Sequence, residues 1–213
     1  MNKTNYCTIY IVRHGQSEAN VKKLHGLNTK LSQKGKEQAK ELSKKLQNIH
    51  FDAIFSSPLV RAKETVEFIA KEQKLEILTK VALREREEGI IDGKADHEVA
   101  KEFKRMYEMR RKLPYEKWKT MSITEGYESD ENLMSRFITT LREIAIAYPR
   151  KTILVGSHVG IMKTFLIHLG YGTHKTLPAR SFSNTSSIKI KTDGVDFFLE
   201  QTDGIKNFTI HNE

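Results

Sequence analysis

The chain has 213 residues, of which 38% are hydrophobic and 30% charged, with a formal charge of +9. This length and balance fit one globular domain, 1–213, and no run approaches the ~20 apolar residues of a membrane span. The positive charge favours acidic partners such as phosphate esters or nucleic acid, yet much of it is Lys34, Lys36, Lys40, Lys44 and Lys45 on one helix, which a solvated surface explains equally well.

In chain order, Thr8 to Val12 is β-branched, aromatic and short, and reads as a buried strand. No apolar segment precedes it, and the lone Cys7 has no partner for an internal disulfide. Both observations predict a cytoplasmic protein, with Cys7 structural and not nucleophilic. Leu31 to His50 reads as a helix capped by Ser32, with Ala39, Leu42, Leu46 and Ile49 on one face. Ala53 to Phe55 is a second strand. Ser57 then predicts an N-cap with Pro58 at the first helical position, opening a helix to about Lys71. Glu76 to Leu78 gives a third short strand.

Ala95 to Leu113 predicts one helix ended by Pro114, followed by an irregular stretch to residue 127. This region, about 94–127, breaks the alternation and reads as a helical cap insertion over the sheet. A long helix from Ser129 to Tyr148, a buried strand from Thr152 to Gly156 and a helix from Gly160 to about Leu169 follow. Ser186 to Lys191 and Val195 to Glu200 read as a hairpin turning at Asp193-Gly194. The expected fold class is α/β: a doubly wound, mostly parallel central sheet with helices on both faces and at least one antiparallel strand.

Arg13-His14-Gly15 ends the first strand and so places a cation and an imidazole at its carboxyl edge, where open α/β sheets bind ligands. Arg13 through Asn20 (RHGQSEAN) resembles the R-H-G-E/Q-S/T-x-x-N signature of the histidine phosphatase, or phosphoglycerate mutase-like, superfamily. Further matches follow in family order. They are Leu31 to Ala39, Ser56 to Thr65 with Arg61, Leu83 to Glu85 with Gly89 and Gly93, Gly156 to Gly160, and Asn184 to Ser187.

The resemblance implies a phosphomonoester hydrolase that works through a phosphohistidine on a small phosphorylated metabolite. His14 would be the nucleophile, its other ring nitrogen fixed by a carbonyl such as that of Gly15. His158 would donate to a phosphoryl oxygen, and Arg13, Arg61, Asn20 and Ser157 would bind the phosphoryl group, whose charge is spread over three oxygens. Glu85 would be the acid for the leaving oxygen and then the base for water; Glu87 and Glu88 are close competitors in sequence. No metal or organic cofactor is implied. A metal site on His14 and His158 lacks a third-ligand motif. Of the six other histidines, only His25, near Gly26, is expected at the pocket. His50, His97, His168, His174 and His211 read as surface or core.

The runner-up is a cofactor-dependent phosphoglycerate mutase. Such mutases continue their glutamate motif as E-R-H-Y-G with a lysine soon after the second glycine. Here the tyrosine position holds Glu88, an anion that would repel a second phosphate, and the lysine position holds Asp96, although Lys94 is nearby. Arg110 and Arg111 pull the other way, lying roughly where mutases carry an arginine pair for the substrate's other anionic end. Part of this basic helix is expected to lid the pocket. Tyr107, Tyr115 and Trp118 beside the basic surface raise nucleic-acid binding as another class, without a recognised motif, so no such partner is expected. A binding protein lacking catalysis is the remaining reading. Oligomeric state is not legible.

Overall fold

Among the described residues, 5–206 of this computed structural model, six strands form one sheet. The side chains of Arg110 and Arg111 lie outside the description, as does His211. The strands are β1 (Cys7–Arg13), β2 (Ala53–Ser56), β3 (Ile77–Thr79), β4 (Thr152–Ser157), β5 (Phe182–Thr192) and β6 (Phe197–Ile205). Across the sheet they run β3-β2-β4-β1-β5-β6. The first four in that order are parallel, β5 runs antiparallel to β1, and β6 antiparallel to β5. The expected mixed α/β sheet is therefore present, with a hairpin longer than the alternation alone outlined.

Alternation along the strands sorts the core into two layers. Ile9, Ile11, Ile153 and Val155 face Phe137 and Leu141 of α7 (Asp130–Ala147) and Phe165 of α8 (Val159–His168). Val12, Ile54 and Leu154 face Leu42 and Leu46 of α2 (Gln33–Leu46) and Val66 and Ile69 of α3 (Val60–Gln73). Both faces of the sheet are thus covered, as near-continuous apolar parallel strands require. A short α1 (Glu18–Lys22) precedes α2.

Ser32 caps α2 as expected, its Oγ accepting from the Gly35 N–H at 3.1 Å. Ser57 does not cap α3. The helix begins at Val60, after Leu59, and Ser57 Oγ accepts from the Leu59 N–H at 3.2 Å. The reason lies in another loop: Asn28 Oδ1 accepts from the Val60 N–H at 2.9 Å, so a distant side chain satisfies the helix start.

The helix expected over Ala95 to Leu113 is two helices, α4 (Asp96–Glu102) and α5 (Lys104–Lys112). The break falls at Phe103 (φ −102°, ψ 8°), whose ring is buried with Ile91, Val99, Ile123 and Tyr127 in a small separate cluster. Pro114 ends this stretch and caps a short α6 (Tyr115–Trp118) inside the segment expected to be irregular. No helix among the described residues is long and apolar enough to cross a membrane.

Candidate active site

The parallel strands end together. Arg13 pairs in register with Ser157, and the His14 N–H donates to the Ser157 carbonyl at 3.1 Å. The chain leaving β1 therefore carries His14, and the chain leaving β4 carries His158, onto one edge of the sheet. Arg61 arrives from the first turn of α3. The centroids of the two imidazoles are 5.2 Å apart.

His14 is 4% exposed and held at both nitrogens. Nδ1 lies 2.7 Å from the Gly15 carbonyl oxygen, which can only accept, so Nδ1 carries the proton. Nε2 accordingly keeps its lone pair and accepts from Arg61 Nε at 3.1 Å. Behind the ring, the Gly15 N–H donates to Thr65 Oγ1 at 3.0 Å, and Asn184 Nδ2 donates to the His14 carbonyl at 3.2 Å. Burial, then the charges of Arg61 and Arg13, hold the His14 pKa well below 6.5. The same causes act on His158: burial first, then Arg61, with His14, Arg136 and Arg13 contributing. Arg13 donates through Nη1 to the Phe182 carbonyl of β5.

Glu85 follows a 3-10 turn at Val81–Leu83. Its Oε1 accepts from the Arg86 N–H and its Oε2 from the Gly160 N–H, both at 2.9 Å. Gly160 stands in the first turn of α8. A Cβ there would overlap Glu85 Oε1, so any larger residue at this position would push the carboxylate aside.

A cavity of 580 Å³ opens over these groups. Arg13, His14, Asn20, His25, Arg61 and Glu85 line it, so six of the residues picked from sequence meet at one cavity. Asn20 also serves α1, exchanging bonds with Ser17 in a capping box. Ser157 and His158 are fully buried and are not among the lining residues; Ser157 Oγ and both His158 ring nitrogens have no hydrogen-bond partner among the described residues. Tyr107 of α5 lines the cavity. Arg110 and Arg111 fall outside the described side chains.

His25 bridges two carboxylates at the cavity. Nδ1 is 3.0 Å from Glu88 Oε2, and Nε2 is 3.1 Å from Asp96 Oδ1. The bond to Glu88 raises its pKa above the ordinary histidine value.

His174 corrects the expectation that it is a mere surface or core residue, because it lines the cavity. Its Nε2 lies 2.9 Å from Oδ2 of the fully buried Asp130, and its ring stacks on Trp118 at 3.7 Å. Asp130 also accepts from Arg86 Nη2 at 2.5 Å and Trp118 Nε1 at 2.7 Å. Trp118 is thus buried packing with a satisfied N–H. Lys163 and Arg180 add cations to the wall. Sequence reading missed Arg86, Asp130, Lys163, His174 and Arg180. Arg86 borders Glu85, and Asp130 opens the long helix, but neither position by itself signals the other.

By fold and by site the chain belongs to the histidine phosphatase superfamily, branch 1, whose family model matches residues 9–203. Among curated relatives, phosphoserine phosphatase 1 of Hydrogenobacter thermophilus is 32% identical over 161 residues, covering 73% of this chain and 72% of that protein. Phosphoglycerate mutase-like protein 4 of Arabidopsis thaliana is 32% identical over 164 residues, covering 75% and 70%. Among solved structures, YhfR of Bacillus stearothermophilus superposes with a TM-score of 0.79 at 23% identity, over 96% of this chain and 98% of that one, a likeness of fold.

Proposed function

We propose that this chain hydrolyses the phosphomonoester of a small metabolite, with His14 as nucleophile, Glu85 as acid then base, and His158 with Arg13, Arg61, Asn20 and Ser157 around the phosphoryl group. One observation carries the reading: the His14 ring has its proton on Nδ1, against the Gly15 carbonyl, and its lone pair on Nε2, beside Arg61.

In the first step the Nε2 lone pair forms a bond to phosphorus. The phosphorus–oxygen ester bond breaks, and its electron pair leaves with the alcohol oxygen, which takes a proton from Glu85. In the second step water attacks the phosphohistidine and gives its proton to the Glu85 carboxylate. Phosphate departs, and the electron pair returns to Nε2. The depressed His14 pKa supports a neutral nucleophile at neutral pH. Arg13 and Arg61 would meet the equatorial oxygens, where phosphoryl transfer gains most from fixed cations.

Hydrolysis is favoured over mutase action by Glu88 and Asp96, which line the cavity where a second phosphate would sit. The helical stretch of about 94–127 acts as the cap in this reading, with Tyr107 its contribution to the wall. Arg110 and Arg111 remain candidates for a second anionic group on the substrate. Phosphoserine is the first compound to try, since the name of the Hydrogenobacter relative points to it. A cytoplasmic setting belongs to the same proposal. Its support is that the one cysteine of the sequence, Cys7, is buried and free, in keeping with a reducing compartment.

The test is phosphate release from a panel of phosphomonoesters with EDTA present, wild type against His14→Ala, with conversion of 3-phosphoglycerate to 2-phosphoglycerate followed in parallel. Hydrolysis that disappears in the variant is the expected result. Isomerisation without hydrolysis would replace the phosphatase reading with the mutase one.

A further inference from the structure

Arg136 projects from α7 onto the segment that carries Glu85. Its Nη1 donates to the Ala82 carbonyl at 2.6 Å and to the Arg84 carbonyl at 2.8 Å. Its Nη2 donates to the Glu85 carbonyl at 3.2 Å. Nε and Nη2 also meet the two carboxylate oxygens of Glu128 at 2.7 and 2.8 Å. Every nitrogen of the guanidinium is engaged, and three of its five bonds go to the main chain just before and at Glu85.

The local fold explains why those carbonyls need a donor. The 3-10 turn Val81–Leu83 ends at Arg84, which is extended (ψ 151°), so the carbonyls at its end have no continuing helix to accept from. A guanidinium suits the task because its rigid fork reaches several acceptors at once, whereas an ammonium is a point charge on a flexible stem. Glu128 is itself anchored to the same loop, its N–H donating to the Glu87 carbonyl at 2.8 Å. Glu85 is thus gripped twice: its main chain by Arg136, and its carboxylate by the Arg86 and Gly160 N–H groups. Arg136 is not among the residues lining the cavity.

We propose that Arg136 is a positioning residue for Glu85: it sets the loop so that the carboxyl meets the leaving oxygen, and it touches no substrate itself. The inference rests on the phosphatase reading and deepens it.

The leaving group supplies the readout. An alkoxide needs a proton as it departs, whereas p-nitrophenolate leaves well without one, so misplacing the acid penalises alkyl phosphates selectively. Arg136→Lys is the variant of choice, because lysine keeps the positive charge that helps hold His158 neutral but cannot span the three carbonyls. For the alkyl ester, kcat/KM, which reports the phosphorylation step alone, should fall by roughly tenfold or more, since sub-ångström misplacement is costly, while kcat/KM for p-nitrophenyl phosphate stays within about threefold, the later attack of water being common to both. Inhibition by inorganic phosphate should hold, because Arg13 and Arg61 are untouched.

A double-mutant cycle closes the argument. In a Glu85→Gln background, Arg136→Lys should add nothing further on the alkyl ester. An equal loss on both substrates, or a full additional loss in that background, would overturn the proposal. If Arg136→Lys does not fold, Glu128→Gln takes its place. It should give the same leaving-group selectivity at smaller amplitude, and a uniform loss would again count against the idea. Wild-type protein that hydrolyses neither ester removes the phosphatase reading and this inference together. An active wild type with a selective Glu85→Gln and an unselective Arg136→Lys removes this inference alone.

Discussion

The Gly160 N–H stands 2.9 Å from Glu85 Oε2, and no side chain fits at that glycine without displacing the carboxylate. The first turn of α8 therefore fixes a group contributed by a loop 75 residues earlier. Gly160→Ala tests the relationship cleanly, because alanine is the better helix former by about 1 kcal/mol. The fold should persist while kcat on an alkyl phosphate falls by about a hundredfold, the scale of a misplaced catalytic group. Steady-state kinetics beside a thermal melt decides it; a stable variant with unchanged kcat would separate Gly160 from the chemistry.

The two buried imidazoles should fail differently. His14→Asn removes the attacking nitrogen, so no phosphoenzyme should form. His158→Gln leaves the nucleophile in place and removes a donor to the developing charge, a loss of about a hundred- to a thousandfold. Acid-quenched labelling with a radioactive substrate distinguishes them: label absent in the first, slow to appear in the second. Equal labelling of both variants would contradict these roles.

Asp130 and Arg86 form a buried ion pair that also ties in Trp118 and His174. Asp130→Asn strands the Arg86 charge in the interior. Breaking a pair of this kind costs about 3–5 kcal/mol, because the remaining charge stays desolvated. Urea unfolding reads the loss directly; a change below about 1 kcal/mol, the size of a surface pair, would mean that the site relaxes around the lone arginine.

Stability should depend on pH in a particular window. The folded pKa values of His14 and His158 lie well below 6.5, the value expected in the unfolded chain. Above that pH neither state binds these protons. As pH falls below it, the unfolded chain takes up protons that the native protein refuses, and stability declines by at most ~1.4 kcal/mol per pH unit for each histidine. His168, also shifted down, acts in the same direction. His25 is shifted up; its contribution is lost as pH rises through its folded value, so it opposes the trend above 6.5 and is fully present below it. Urea midpoints at pH 6.5 and 5.0, both below the range where His25 acts, should therefore differ, the acid one being lower; equal midpoints would sink the account.

Much of the site was legible because each motif residue sits where a strand or helix ends, and those ends are marked locally by apolar runs and punctuation. Arg13, His14, Arg61, Glu85, Asn20 and His25 all line the cavity for that reason. What stayed hidden depends on distant partners. Ser57 loses the α3 cap because Asn28 supplies it, 32 residues away. The helix over 95–113 breaks where Phe103 turns into a cluster with Ile123 and Tyr127. His174 gains its place from Asp130, 44 residues before it, and Arg136 reaches back more than 50 residues to the Glu85 loop. No local pattern encodes those pairings.

The position of β1 carries one more consequence. It lies between β4 and β5, with Thr8 opposite Thr152 and Cys7 opposite Thr192. In synthesis order, His14, Arg61 and Glu85 therefore precede both strands that flank β1. Until residue 192 has left the ribosome, β1 has at most one of its two neighbours, and such long-range pairing is slow to form. The geometry proposed for catalysis should therefore arrive with these pairings and not with the residues themselves.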